Sequence, residues 1–149
     1  DRSVSRGLGD VYKRQVYSKN ELLAKHVLPH VITSLMEDRE VTLLENSKVN
    51  KRTFLHNIDS CAAVLAVADT ETALDGTVYN VATEEEVSMI ELVKLCGKAL
   101  GIANPEIKFE GYRESDPERR VLSVKKLKER TGWQPTITLK QGIQMCVDY

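Results

Sequence analysis

Two helix starts constrain this chain more than any other feature in it. Ser88-Met89-Ile90-Glu91 and Thr138-Leu139-Lys140-Gln141 each place a hydroxyl residue three positions before a Glu or Gln. At that spacing each side chain bonds the other residue's backbone N–H, and the first helical turn closes. Behind the first box, Met89, Leu92, Val93, Cys96 and Leu100 recur at helical spacing, and Gly101 stands where the helix should stop. Behind the second, Leu139, Ile143, Cys146 and Val147 form the inward stripe. A further helix begins near His26, where Pro29 is tolerable only in a first turn and Leu28, Val31, Ile32 and Leu35 fall on one face. Helices with one apolar stripe need a layer to pack on. Short strands supply it at residues 41–44, 52–56, 77–82 and 107–110, so the fold class is α/β. Asp59 is placed to cap a helix built on Cys61, Ala62, Val64, Leu65 and Ala68, and Ser123 to cap one carrying Val124 and Leu127.

The chain has 149 residues, 42% hydrophobic and 29% charged, which suffices for one domain with a real core. A net charge of −1 creates no global field favouring nucleic acid or an anionic membrane. No apolar run approaches the roughly 20 residues that span a bilayer. Cys61, Cys96 and Cys146 stand far apart with no Cys-x-x-Cys pair, a pattern expected of buried, reduced thiols in a cytoplasmic protein. Residues 1–15 lack any sustained period and are expected to be a non-native or disordered leader, with the folded portion over 16–149.

Chemistry concentrates in residues 113–135, RESDPERRVLSVKKLKERTGWQP. Arg113 and Arg120 lie on a charged loop, and Arg52 ends a polar turn upstream. A guanidinium meets two phosphate oxygens at once, so these three arginines form a candidate diphosphate clamp, with Asp116 orienting Arg113 or accepting from a ribose hydroxyl. Spacing alone also fits a surface salt-bridge cluster with Glu114, Asp116 and Glu118, worth roughly 0–1 kcal/mol per pair. His26 and His30 lie four apart, but no third metal ligand follows at a diagnostic spacing. Lys125, Lys126, Lys128 and Arg130 have no aromatic interleaving and read as a solvated helix face. Trp133 and Pro135 read as structural, covering a core edge and stopping a helix.

These residues, in this order, resemble the extended short-chain dehydrogenase/reductase family, the NAD(P)-dependent nucleotide-sugar epimerases and dehydratases. That family carries Arg-x-Gly-Asp, then a basic or aromatic position, a helix, and Leu-Gly-Trp-x-Pro. Here the matches are Arg113, Asp116, Arg120 and Thr131-Gly132-Trp133-Gln134-Pro135. The resemblance runs from about His26 to the end. It implies the C-terminal, substrate-binding part of a Rossmann-type enzyme whose N-terminal cofactor-binding half is missing. Strand 77–82 would then join the parent sheet and lie at an exposed edge. By resemblance, Arg52, Arg113, Asp116, Arg120, His26 and Asn80 contact a nucleotide-diphosphate sugar, NAD or NADP is held upstream, and the whole protein is a homodimer. The family's Gly-x-Gly turn holds Asn46 and Lys48 here, and a family Asp is replaced by Ser123. The sequence contains no Gly-x-x-Gly-x-x-Gly and no Tyr-x-x-x-Lys, so this portion is expected to bind without turning over. A non-catalytic nucleotide-binding member or an α/β interaction domain are the alternative readings.

Overall fold

The structure is a computed structural model that describes residues 11–13, 16–19 and 26–148. Its strands form four two-stranded sheets. β1 (Val11–Lys13) runs parallel to β6 (Tyr79–Val81), and β2 (Val16–Tyr17) parallel to β5 (Leu55–His56). β3 (Val41–Leu43) runs parallel to β8 (Ile107–Phe109), while β4 (Lys51–Thr53) pairs antiparallel with β7 (Glu86–Ser88). The helices are α1 (Val27–Met36), α2 (Asn57–Ala68), α3 (Met89–Ala99), α4 (Lys125–Thr131) and α5 (Leu139–Val147). Among the described residues β6 has β1 as its only strand partner, so one side of it is an open edge. Val11–Lys13 falls within the stretch expected to be a leader, yet it forms this strand; the rest of residues 1–15 lies outside the described residues.

Both capping boxes form as their spacing requires, at Ser88/Glu91 and Thr138/Gln141. α1, α3 and α5 bury the stripes their periodicity marks, and Leu28, Val31, Leu92, Val93, Leu139 and Ile143 share one core. Gly132 ends α4 in the left-handed conformation at φ 73°, which glycine adopts without a Cβ penalty. A second core gathers Leu55, Ala63, Tyr79, Val81, Leu127 and Trp133.

α2 departs from expectation. Its N-cap is His56, whose Nδ1 accepts from Ile58 N–H at 3.3 Å, not Asp59. The buried face is Asp59, Ser60 and Ala63, whereas Val64 and Leu65 are 41% and 62% exposed and Cys61 is exposed. The helix is apolar nearly all round, so periodicity could not choose its inward side. Of the three thiols only Cys96 is fully buried; burial pushes it up to about 12, and Cys146 is half-buried. The α4 cap is also shifted: Val124 is the capping residue, and Ser123 Oγ accepts from Lys125 N–H at 3.4 Å.

His56 couples this helix to pH. Burial holds its pKa below the usual histidine value, against an opposing pull from Asp59. Its Nδ1 caps α2 only while unprotonated. The unfolded chain therefore binds the proton more readily, and stability is full above about pH 6.5 and declines as pH falls below it. Urea melts from pH 7.5 to 5 should show this decline, and H56N, which keeps a cap acceptor without titrating, should flatten it.

Tyr17 fixes how closely α5 approaches. A Cβ at Gly142 would sit 1.8 Å from the Tyr17 hydroxyl and 2.8 Å from its Cζ. Among the described residues that hydroxyl is buried without a hydrogen-bond partner, and the ring meets His56 edge-on at 5.3 Å. G142A is expected to lose about 2 kcal/mol by overpacking. Y17F should be near neutral, because it removes an unsatisfied hydroxyl, and the double variant should recover part of the loss. Denaturant midpoints of the three variants check this.

Candidate anion-binding cleft

A polar turn and a charged loop build the site. The turn is a 3-10 helix at Glu45–Lys48, between β3 and β4. Neither Asn46 nor Lys48 takes a positive φ, so the substitutions at the family's glycine positions are accommodated by right-handed backbone. Asn46 instead grips the loop: its Oδ1 accepts from Arg113 N–H at 2.9 Å, and its Nδ2 donates to the Arg113 carbonyl at 3.0 Å. The loop's other end is tied to β4, where Lys51 N–H donates to the Glu118 carbonyl at 2.7 Å. Arg119 then forks onto both oxygens of Glu86 at 2.8 and 2.7 Å, which holds the Glu86 carboxyl below its ordinary value. Between these anchors Ser115 takes φ 59°, at the Gly position of Arg-x-Gly-Asp, and the chain turns Asp116 inward.

Asp116 is the hub. Its Oδ2 accepts from Arg52 at 2.8 Å and from Asn50 Nδ2 at 2.7 Å, and its Oδ1 from Arg120 at 3.4 Å. Arg52 is firmly held, for it also donates to the carbonyls of Lys51 at 2.7 Å and Glu118 at 3.3 Å, and its side chain is 7% exposed. Arg120 is 43% exposed and loosely held. The Arg113 guanidinium has no hydrogen bond or ion pair among the described residues, where only its backbone is held. The three arginines thus differ in role: Arg52 is a fixed post, Arg120 a loose arm and Arg113 an uncommitted cation.

All three line one cleft of about 640 Å³, together with Asp116, Asn50, His26 and His30. Its apolar wall comes from Val27, Leu28, Pro29, Leu43, Leu44 and Phe54. His30 Nε2 lies 3.0 Å from the Thr42 carbonyl, which ties α1 to β3 at the rim. Asn80 does not line this cleft: its Nδ2 donates to the Ser123 carbonyl at 3.1 Å. Among the described residues no group of three His, Cys, Asp or Glu is disposed to hold a metal ion, and no helix is long and apolar enough to cross a membrane.

Sequence reasoning missed Asn46, Asn50 and Asp59. Asn46 was visible only as a glycine position filled by another residue. Asp59 looked like a cap, but its carboxylate accepts from Thr136 N–H, Thr136 Oγ1 and Ile137 N–H at 3.1, 2.8 and 2.9 Å. Its own carbonyl accepts from Trp133 Nε1 at 3.2 Å. The Gly-Trp-x-Pro element is therefore a strut joining α4 to α2, the structural role its residues suggest.

The family described as GDP-mannose 4,6 dehydratase matches residues 13–146. The chain belongs to this family. It is a member of the extended short-chain dehydrogenase/reductase group of nucleotide-sugar dehydratases and epimerases, as the resemblance implied. Human dTDP-D-glucose 4,6-dehydratase is 26% identical over 140 residues, covering 90% of this chain and 39% of that protein. UDP-glucuronic acid decarboxylase 4 of Arabidopsis thaliana is 33% identical over 69 residues, 46% of this chain and 15% of that protein. Among solved structures, dTDP-glucose 4,6-dehydratase of Bacillus anthracis in complex with NAD superposes with a TM-score of 0.77 at 25% identity, covering 89% of this chain and 40% of that one. UDP-glucose 4-epimerase of Thermotoga maritima with UDP-glucose gives 0.80 at 21% identity, over 92% and 43%. This member of the family thus spans less than half the length of these relatives, and its fold is part of a Rossmann-type α/β architecture.

Proposed function

We propose that this chain supplies the nucleotide-diphosphate-binding cleft of an NAD(P)-dependent nucleotide-sugar epimerase or dehydratase, within a substrate-binding portion over 16–149. The observation that carries the reading is that Arg52 of β4 lines one cleft with Arg113 and Arg120 of the charged loop, while Asp116 pairs with Arg52 and Arg120. Three guanidinium groups against one carboxylate leave two positive charges in excess. A diphosphate esterified at both ends carries two negative charges, so the cleft neutralises such a ligand. Arg113 and Arg120 contact its oxygens, Arg52 and Asp116 hold the loop that presents them, and the apolar wall shields the ligand from water.

In this reading NAD or NADP is held by other residues, because the sequence has neither the glycine cradle nor the Tyr-x-x-x-Lys pair. The cofactor supplies hydride chemistry; this chain's residues bind and orient the substrate.

Calorimetric titration with UDP-, dTDP- and GDP-sugars tests the proposal. R113A is expected to weaken binding about 10- to 100-fold, the worth of a charge-assisted contact, while its melting midpoint stays put. Unchanged affinity in both R113A and R52A would remove the clamp assignment.

A further inference from the structure

We infer that Asn50 reads a hydroxyl of the bound nucleotide sugar, one that adjoins the diphosphate. The inference rests on the cleft being a nucleotide-diphosphate site. Asn50 is 3% exposed and forms part of the cleft wall between the polar turn and Arg52. Its Nδ2 donates to Asp116 Oδ2 at 2.7 Å. A carboxylate oxygen only accepts, so this bond fixes which end of the amide is nitrogen and sends Oδ1 the other way. Oδ1 is buried and has no hydrogen-bond partner among the described residues. Native folds seldom leave a buried acceptor unsatisfied, and such a group in the wall of a cleft calls for a donor from outside the protein.

The surroundings narrow what that donor is. Arg52, the neighbouring cation, turns its bonds to Asp116 and two carbonyls and makes none to Asn50 Oδ1. Phosphate oxygens are themselves acceptors and gain nothing from Oδ1. Beside the diphosphate of a nucleotide sugar, the donors are hydroxyls, on the ribose on one side and on the hexose on the other. Asn50 therefore gives a cation-rich cleft, which by charge alone would accept any diphosphate, a means of preferring a hydroxyl-bearing one. A site built to bond a hydroxyl rejects the analogue lacking it, because its polar atom is then left unpaired.

Titration calorimetry on the full chain tests this with inorganic pyrophosphate, UDP-glucose, its 2′-deoxy and 3′-deoxy ribose analogues, and UDP-2-deoxyglucose. One deoxy ligand is expected to bind about tenfold more weakly than UDP-glucose, and the one that does so identifies the ring. N50A should bind UDP-glucose about tenfold more weakly and lose nothing further with that deoxy ligand; N50L serves if the alanine variant does not melt cooperatively. If every deoxy ligand binds the unmodified chain as tightly as UDP-glucose, the inference falls without recourse to a variant. It falls also if the losses from N50A and from deoxygenation simply add. If neither pyrophosphate nor UDP-glucose binds, the diphosphate reading fails first and takes this inference with it.

Discussion

Replacing Asp59 by alanine is expected to cost about 3 kcal/mol, as measured by urea unfolding. The carboxylate is 2% exposed and accepts from two backbone N–H groups and one hydroxyl of Thr136 and Ile137. Alanine would leave those donors unpaired, and the segment after Gly132 would keep the Trp133 bond to the residue 59 carbonyl but lose its three bonds to the carboxylate. D59N is the informative control. Its Oδ1 can take both N–H groups, and its amide can donate to the Thr136 hydroxyl, which turns to accept. That variant should lose only about 1 kcal/mol. A D59A midpoint close to wild type would mean that the strut carries no stability.

Substituting Arg52 by alanine should cost about as much, roughly 3 kcal/mol, because it strands a mostly buried carboxylate. Asp116 would keep Asn50 and the distant Arg120 but lose its shortest cationic partner. R52K should restore little of this, since an ammonium does not reproduce a fork that also reaches the Lys51 and Glu118 carbonyls. The double variant R52M/D116L should fall closer to wild-type stability than either single change, as expected when both ends of a buried pair are removed. R113A gives the contrast. Its guanidinium has no partner among the described residues, so stability should shift by less than about 0.5 kcal/mol while diphosphate affinity drops. If R52A and R113A affect stability equally, the division between a fixed post and a ligand contact is wrong.

How far residues could be placed from sequence followed the range of the interactions that position them. Helix starts were legible because a capping box closes within four residues, as at Ser88 and Thr138. α2 was misread because its apolar residues surround the axis, so no stripe singled out Ala63 over Val64. The strand expected over residues 77–82 is present but shorter, at Tyr79–Val81, since pairing with β1 rather than propensity sets its length. The arginines could be singled out as a candidate clamp by type and order. Their unequal commitment could not, because it depends on where Asp116 points.

By itself, the sequence determined which segments are helices, where α3 and α5 begin, and which arginines and aspartate are candidates for one site. Local hydrogen bonds and side-chain periodicity are sufficient for that. Only the tertiary structure decided that Asp116 meets Arg52 from 64 residues away, and that Asp59 serves Ile137 from 78 away instead of capping its own helix. A buried polar group goes where folding leaves it a partner, and that partner is chosen by the packing of layers, which no local spacing records.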